Sequence, residues 1–138
     1  MSDLRLLNQT TVSSSVSTVN VTNVFSSDFD IYKIVFDGIS TAGSTESRAT
    51  NQTKWDNFFG NPDDNPELVS GVAYIFNPFS SSSYTFAINQ VAVETRRFYK
   101  MIQVFTELTS ITGFQAFESN SRPINSGVFK TYGLRVNT

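Results

Sequence analysis

The side chains best suited to chemistry are few and scattered. Carboxylates and amides gather twice, at Asp28 and Asp30 and again at Asn61, Asp63, Asp64 and Asn65. Hard cations such as calcium take oxygens of this kind. The second group reads Asn61-Pro62-Asp63-Asp64-Asn65-Pro66 and lacks the spaced ligands and closing glutamate of an EF-hand loop. Asn, Asp and Pro are also the ordinary residues of turns, so the reading is turns and no metal site. The chain has no Cys and no His. Thiolate nucleophiles, thiolate metal sites, zinc sites and His-based triads are therefore excluded. Acid–base work by a carboxylate pair needs two acids within about 10 Å, and no local grouping recommends one. No catalytic residue, no cofactor and no enzymatic activity are expected.

Arg96, Arg97 and Lys100 form the one basic cluster, read as solvated charges at a strand end. With a formal net charge of −2, the chain lacks the cationic surplus that phosphate contacts require, which argues against a nucleic-acid partner. Asn8-Gln9-Thr10, Asn20-Val21-Thr22 and Asn51-Gln52-Thr53 match the glycosylation acceptor pattern. Chance matches are expected in a chain so rich in Asn and Thr. The candidate contact residues are Trp55, Phe58 and Phe59, three large aromatics inside a polar stretch. Exposed, they can stack on sugar rings or dock into a neighbouring subunit; buried, they pin their own segment to the domain.

The elements that must position these residues are strands. Ser, Thr and Asn make up about a third of the chain, and their side chains compete with a helix backbone for hydrogen bonds. Apolar positions Val12, Val16, Val19, Val21 and Val24 predict one strand over Thr11–Phe25, with a bulge where the alternation slips. Ile31–Asp37 sets Tyr32, Ile34 and Phe36 against Lys33 and Asp37, a half-buried strand that Gly38 is expected to end. Further strands are predicted at Gly71–Phe76, where Val72, Tyr74 and Phe76 alternate with Ala73 and Ile75, and at Tyr84–Gln90, where Tyr84, Phe86 and Ile88 oppose Thr85, Ala87 and Asn89. Phe98–Phe105, Ile111–Phe117 and Val128–Val136 complete the series, and Val91–Arg97 fits either a strand or one helical turn.

Seven or eight short strands separated by turn signals predict an all-β fold, an antiparallel β-sandwich of jelly-roll type. Residues 1–138 are expected to form a single domain. The 13 Phe, 5 Tyr and single Trp supply its core. Ser40–Ser70 is polar, carries Pro62 and Pro66 and holds the three aromatics. A structureless connection of that length is uncommon, so it reads as a folded excursion or functional loop, expected to make a contact outside its own sandwich. The apolar patch in Met1–Asn8 is too short for a signal-peptide core, and no segment approaches the roughly 20 apolar residues of a membrane span. A soluble protein made in a cytoplasm, with no membrane insertion, is expected.

Six segments, in order, resemble a family of small virion proteins from tailed phages of marine bacteria, cyanophages included. They are TVSSSVSTVNVTNVF at 11–25, DFDIYKIVF at 28–36, AYIFNPF at 73–79, SSYTFAINQ at 82–90, TSITGFQAF at 109–117 and SGVFKTYGL at 126–134. The resemblance implies a jelly-roll-like sandwich incorporated in the virion, as a capsid decoration protein or as part of a tail or fibre, and names no catalytic residue. Ser40–Ser70 departs from the family pattern, where an additional apolar strand is more usual.

The leading expectation is a capsid decoration or cement protein that binds the major capsid protein on the outer capsid surface. A homo-oligomer is expected, a trimer by preference, because symmetric copies can bury surplus apolar side chains against one another. The alternative is a tail- or fibre-associated receptor-binding module that recognises host surface glycan, with tail components as partners.

Overall fold

In the computed structural model, residues 3–41, 45–48, 54–55, 58–59, 67–94, 97–118 and 121–135 are described, with the backbone alone at 45–48, 54–55 and 67. All regular structure among them is strand: β1 (Asp3–Val12), β2 (Thr18–Val21), β3 (Ile31–Thr41), β4 (Thr45–Arg48), β5 (Lys54–Trp55), β6 (Glu67–Phe76), β7 (Thr85–Val93), β8 (Arg97–Phe105), β9 (Phe114–Glu118) and β10 (Ile124–Arg135). No helix long and apolar enough to cross a membrane occurs among these residues.

Two antiparallel sheets form a β-sandwich, one ordered β1-β10-β3-β6-β7-β8 and the other β2-β9-β4-β5. The pairings nest: β1 with β10, β2 with β9, β3 with β6 and β4 with β5. A long hairpin folded over on itself leaves this pattern, which is the jelly-roll order. Eight strands make the roll. The hairpin β7–β8 is inserted between β6 and β9 and widens one sheet beyond it.

Alternation explains which side faces in. On β3, Tyr32, Ile34, Phe36 and Ile39 are buried; on the facing sheet, Val19, Val21, Phe114 and Ala116 are. Phe59 lies at the centre, with ring centroids 5.0 Å from Phe36, 4.9 Å from Phe58, 5.3 Å from Phe129 and 6.0 Å from Phe114. These rings come from both sheets, so one side chain of the 40–70 segment cements the two layers. Tyr32, fully buried, keeps its hydroxyl satisfied by donating to the Ser26 carbonyl (2.9 Å) and accepting from the Ser26 N–H (2.8 Å).

Several expectations need correction. Thr11–Phe25 is not one strand: Thr11 and Val12 end β1, Val16 makes an isolated bridge to Ile124, and β2 begins at Thr18. The chain crosses from one sheet to the other here, β1 lying in the six-stranded sheet and β2 in the four-stranded one. Nor does Gly38 end β3. Its φ of 60° falls in the left-handed region that glycine enters without steric penalty, and the register against β6 shifts there, between Phe36 and Ile39. Gly38 N–H donates to Ser70 Oγ (3.0 Å) and its carbonyl accepts from Ser126 Oγ (3.1 Å). The strand bulges and continues to Thr41. Val91–Val93 is strand, the end of β7.

Candidate functional site

The outward face of the six-stranded sheet follows from its register. Along each strand alternate residues point away from the core, and the pairings align them in rows across all six strands. The first row runs Leu4, Leu134, Ile31, Phe76, Phe86, Val104. Beside it lies Leu6, Tyr132, Lys33, Tyr74, Ile88, Ile102. Eleven of these twelve side chains are aliphatic or aromatic. The third row turns polar at its ends: Gln9, Lys130, Val35, Val72, Gln90, Lys100.

None of this band is buried against the domain's own core. Ile102 is 71% exposed, and Leu4, Leu6, Tyr74, Phe86 and Val104 are all exposed. The lone cation of the two rows, Lys33, holds its Nζ 5.9 Å from the ring centroid of Tyr74, so even this charge is engaged with an aromatic face. At about 4.8 Å between strands, the band extends for about 24 Å. Exposed apolar patches of this extent mark surfaces that contact protein, membrane or ligand.

Beyond the third row, Phe98 is 84% exposed and stands over a shallow groove lined also by Ser70, Val72, Gln90 and Lys100. Across β6, Ser70 Oγ donates to Asp37 Oδ1 (2.6 Å). This end of the face sets the polar groups of Asp37, Ser70, Gln90 and Lys100 beside the exposed Phe98 ring.

The strands β6 and β7 carry the band because their parity runs against bulk. Val69, Ala73 and Ile75 of β6 point inward, as do Thr85, Ala87, Asn89, Val91 and Val93 of β7. Tyr74, Phe76, Phe86 and Ile88 are left outside. The interior at this point is already occupied: a Cβ on Gly71 would lie 2.7 Å from Phe36 Cζ and against the Gln90 carbonyl oxygen. The buried Asn89 amide meets the Phe58 carbonyl in the same layer. No side chain larger than that of glycine fits inward at Gly71.

Of the three aromatics singled out in the sequence, Phe58 and Phe59 are fully buried in the core and have no surface to offer a sugar or a subunit. They pin their own segment, the second of the two roles that the sequence left open, and not the exposed contact role. Trp55 is in β5, paired with Ser47; its side chain lies outside the described residues. Asp28 is exposed in the connection before β3, while Asn61, Asp63, Asp64 and Asn65 lie outside the described residues. Among the described residues no three His, Cys, Asp or Glu side chains gather to hold a metal ion. Of the basic cluster, Lys100 projects from the outer face of β8, and Arg96 lies outside the described residues. Sequence reasoning missed the outer band, although Phe98–Phe105 carried a signal: Phe98, Ile102 and Val104 are apolar at one parity and Tyr99, Met101 and Phe105 at the other.

No protein-family model matches the chain, and a search of curated proteins finds no match.

Proposed function

We propose that the chain is a structural protein of a phage virion, a capsid decoration or cement protein that works by packing against other protein subunits of the particle. One observation carries this reading: two apolar rows cross the whole outer face of the six-stranded sheet. A surface of that kind gains free energy by leaving water and is suited to a protein face of matching shape. The jelly-roll order supports the reading, as do the six segments that resemble the marine-phage virion family. A fold of this type hosts many functions, so the surface bears the weight. On this account the protein is made in the host cytoplasm and resides in the virion, with the major capsid protein as its partner.

The test is reconstitution. Purified chain added to capsids assembled without it should bind at a defined stoichiometry, and Ile102→Lys should reduce occupancy at least tenfold. Absence of the chain from purified virions by mass spectrometry would refute the reading.

A second reading, a tail- or fibre-associated module for host glycan, draws on Phe98. An exposed ring beside Ser70, Gln90 and Lys100 has the aromatic and polar parts of a sugar subsite. It requires binding to host surface polysaccharide that Phe98→Ala abolishes.

A further inference from the structure

We infer that the apolar band is covered by a second copy of this chain, stacked face to face about a two-fold axis parallel to the strands and passing between β3 and β6. This rests on the reading of the band as an assembly surface and names its occupant.

The register carries the inference. Rotation about that axis keeps each row opposite itself and exchanges the strands in reverse order, β1 facing β8, β10 facing β7 and β3 facing β6. In the first row Leu4 then meets Val104, Leu134 meets Phe86 and Ile31 meets Phe76. In the second, Leu6 meets Ile102 and Tyr132 meets Ile88. The single charge of the band, Lys33, comes opposite Tyr74 of the partner, the residue whose ring it already approaches within its own chain. In the third row Lys130 faces Gln90 and Lys100 faces Gln9, with Val35 on Val72 between them. Apolar groups fall on apolar groups, and no facing pair in these rows is of like charge. Self-complementarity of this sort is what an isologous interface requires.

The area agrees. Six strands at about 4.8 Å and three rows at about 6.8 Å make a face of roughly 600 Å², so that two copies together cover about 1,200 Å², the lower end of the range for a specific interface. Sheets packed in this way align within about 30°, so the central pairs around β3 and β6 superpose best. A two-fold contact closes at two copies, a dimer in place of the trimer that composition alone suggested.

A charge exchange between Leu6 and Ile102 tests the geometry. Both side chains are about half exposed or more, at 49% and 71%, so the fold tolerates replacement. By sedimentation equilibrium the wild-type chain should be a dimer, and Leu6→Glu and Ile102→Lys should each weaken it at least tenfold. Mixing the two variants should restore a heterodimer, because each such pair holds one Glu–Lys contact and one unaltered Leu6–Ile102 contact. A wild-type monomer at about 0.1 mM, well above the Kd of a specific contact, would overturn the inference. So would a trimer, or a dimer that neither substitution weakens. If the monomer still occupies capsids and Ile102→Lys still lowers occupancy, the band serves a different protein: this inference fails while the proposed function stands. A monomer that binds no particle removes both.

Discussion

The side-chain amide of Asn89, buried on β7, donates a hydrogen bond to the main-chain carbonyl of Phe58, 31 residues earlier in the chain. This contact attaches the segment between β5 and β6 to the inner surface of the six-stranded sheet. Asn89→Asp keeps the shape and removes the donor, leaving an acceptor facing an acceptor in a dry site. Its expected effect is a loss of about 3–5 kcal/mol, because the carboxylate is also left as an unpaired charge in the interior, read as a lowered urea midpoint with an unchanged slope. Asn89→Ser, which retains a shorter donor, is expected to lose less.

Phe59 and Phe98 make a matched pair for separating core from surface. Phe59→Ala removes a ring in contact with Phe36, Phe58, Phe114 and Phe129 and is expected to cost about 3–5 kcal/mol. Phe98→Ala deletes a ring that is 84% exposed and should change stability by no more than about 0.5 kcal/mol. Thermal melts of the two variants check the contrast directly.

Gly71 and Gly38 are glycines for different reasons. At Gly71 the obstacle is space, since an added methyl meets the Phe36 ring and the β7 backbone. Gly71→Ala should therefore destabilise by about 1–3 kcal/mol, the range for overpacking. At Gly38 nothing lies within 4 Å of an added Cβ, and the constraint is its φ of 60°. Gly38→Ala is expected to cost about 1–2 kcal/mol, and Gly38→Asn less, because Asn enters the left-handed region more readily. Denaturation midpoints for the three variants distinguish steric from conformational cause.

Tyr32 supplies a third kind of interior contact. Tyr32→Phe keeps the ring stacked edge-on against Phe25 at 4.7 Å and deletes the hydroxyl that both donates to and accepts from Ser26. A loss of about 1–3 kcal/mol is expected, because the Ser26 groups lose their partner. Calorimetry should find a lower Tm with the fold intact.

Legibility in the sequence tracked the contrast between a strand's two faces. On β3 the polar Lys33 and Asp37 stand against Tyr32, Ile34 and Phe36, and the structure follows that contrast. On β6 and β7 both parities are apolar, and alternation alone favours the larger set, Val72, Tyr74, Phe76, Phe86 and Ile88, as the inward one. What decides the matter lies far away in the chain: the Phe36 ring leaves no space for a side chain at Gly71, and the Phe58 carbonyl takes the inward Asn89 amide. A one-residue shift of parity turns a whole strand over, and that shift created the outer band. β1 was hidden for a related reason: Leu4 and Leu6 face outward, so Asp3–Val12 has little of the pattern of a half-buried strand. Phe58 and Phe59 were visible as anchors or as contact residues, and nothing local separates these roles. The choice depends on β7, where Asn89 meets the Phe58 carbonyl.

The outer face of the six-stranded sheet as an assembly surface is most directly tested by cryo-microscopy of the virion at side-chain resolution. The expected map has the Ile31–Phe76–Phe86 stretch of the band packed against protein, with the same sheet of a second copy across it and Lys33 over the partner's Tyr74. A map in which that face lies open to solvent, while the chain is held to the particle by other surfaces, would contradict the account.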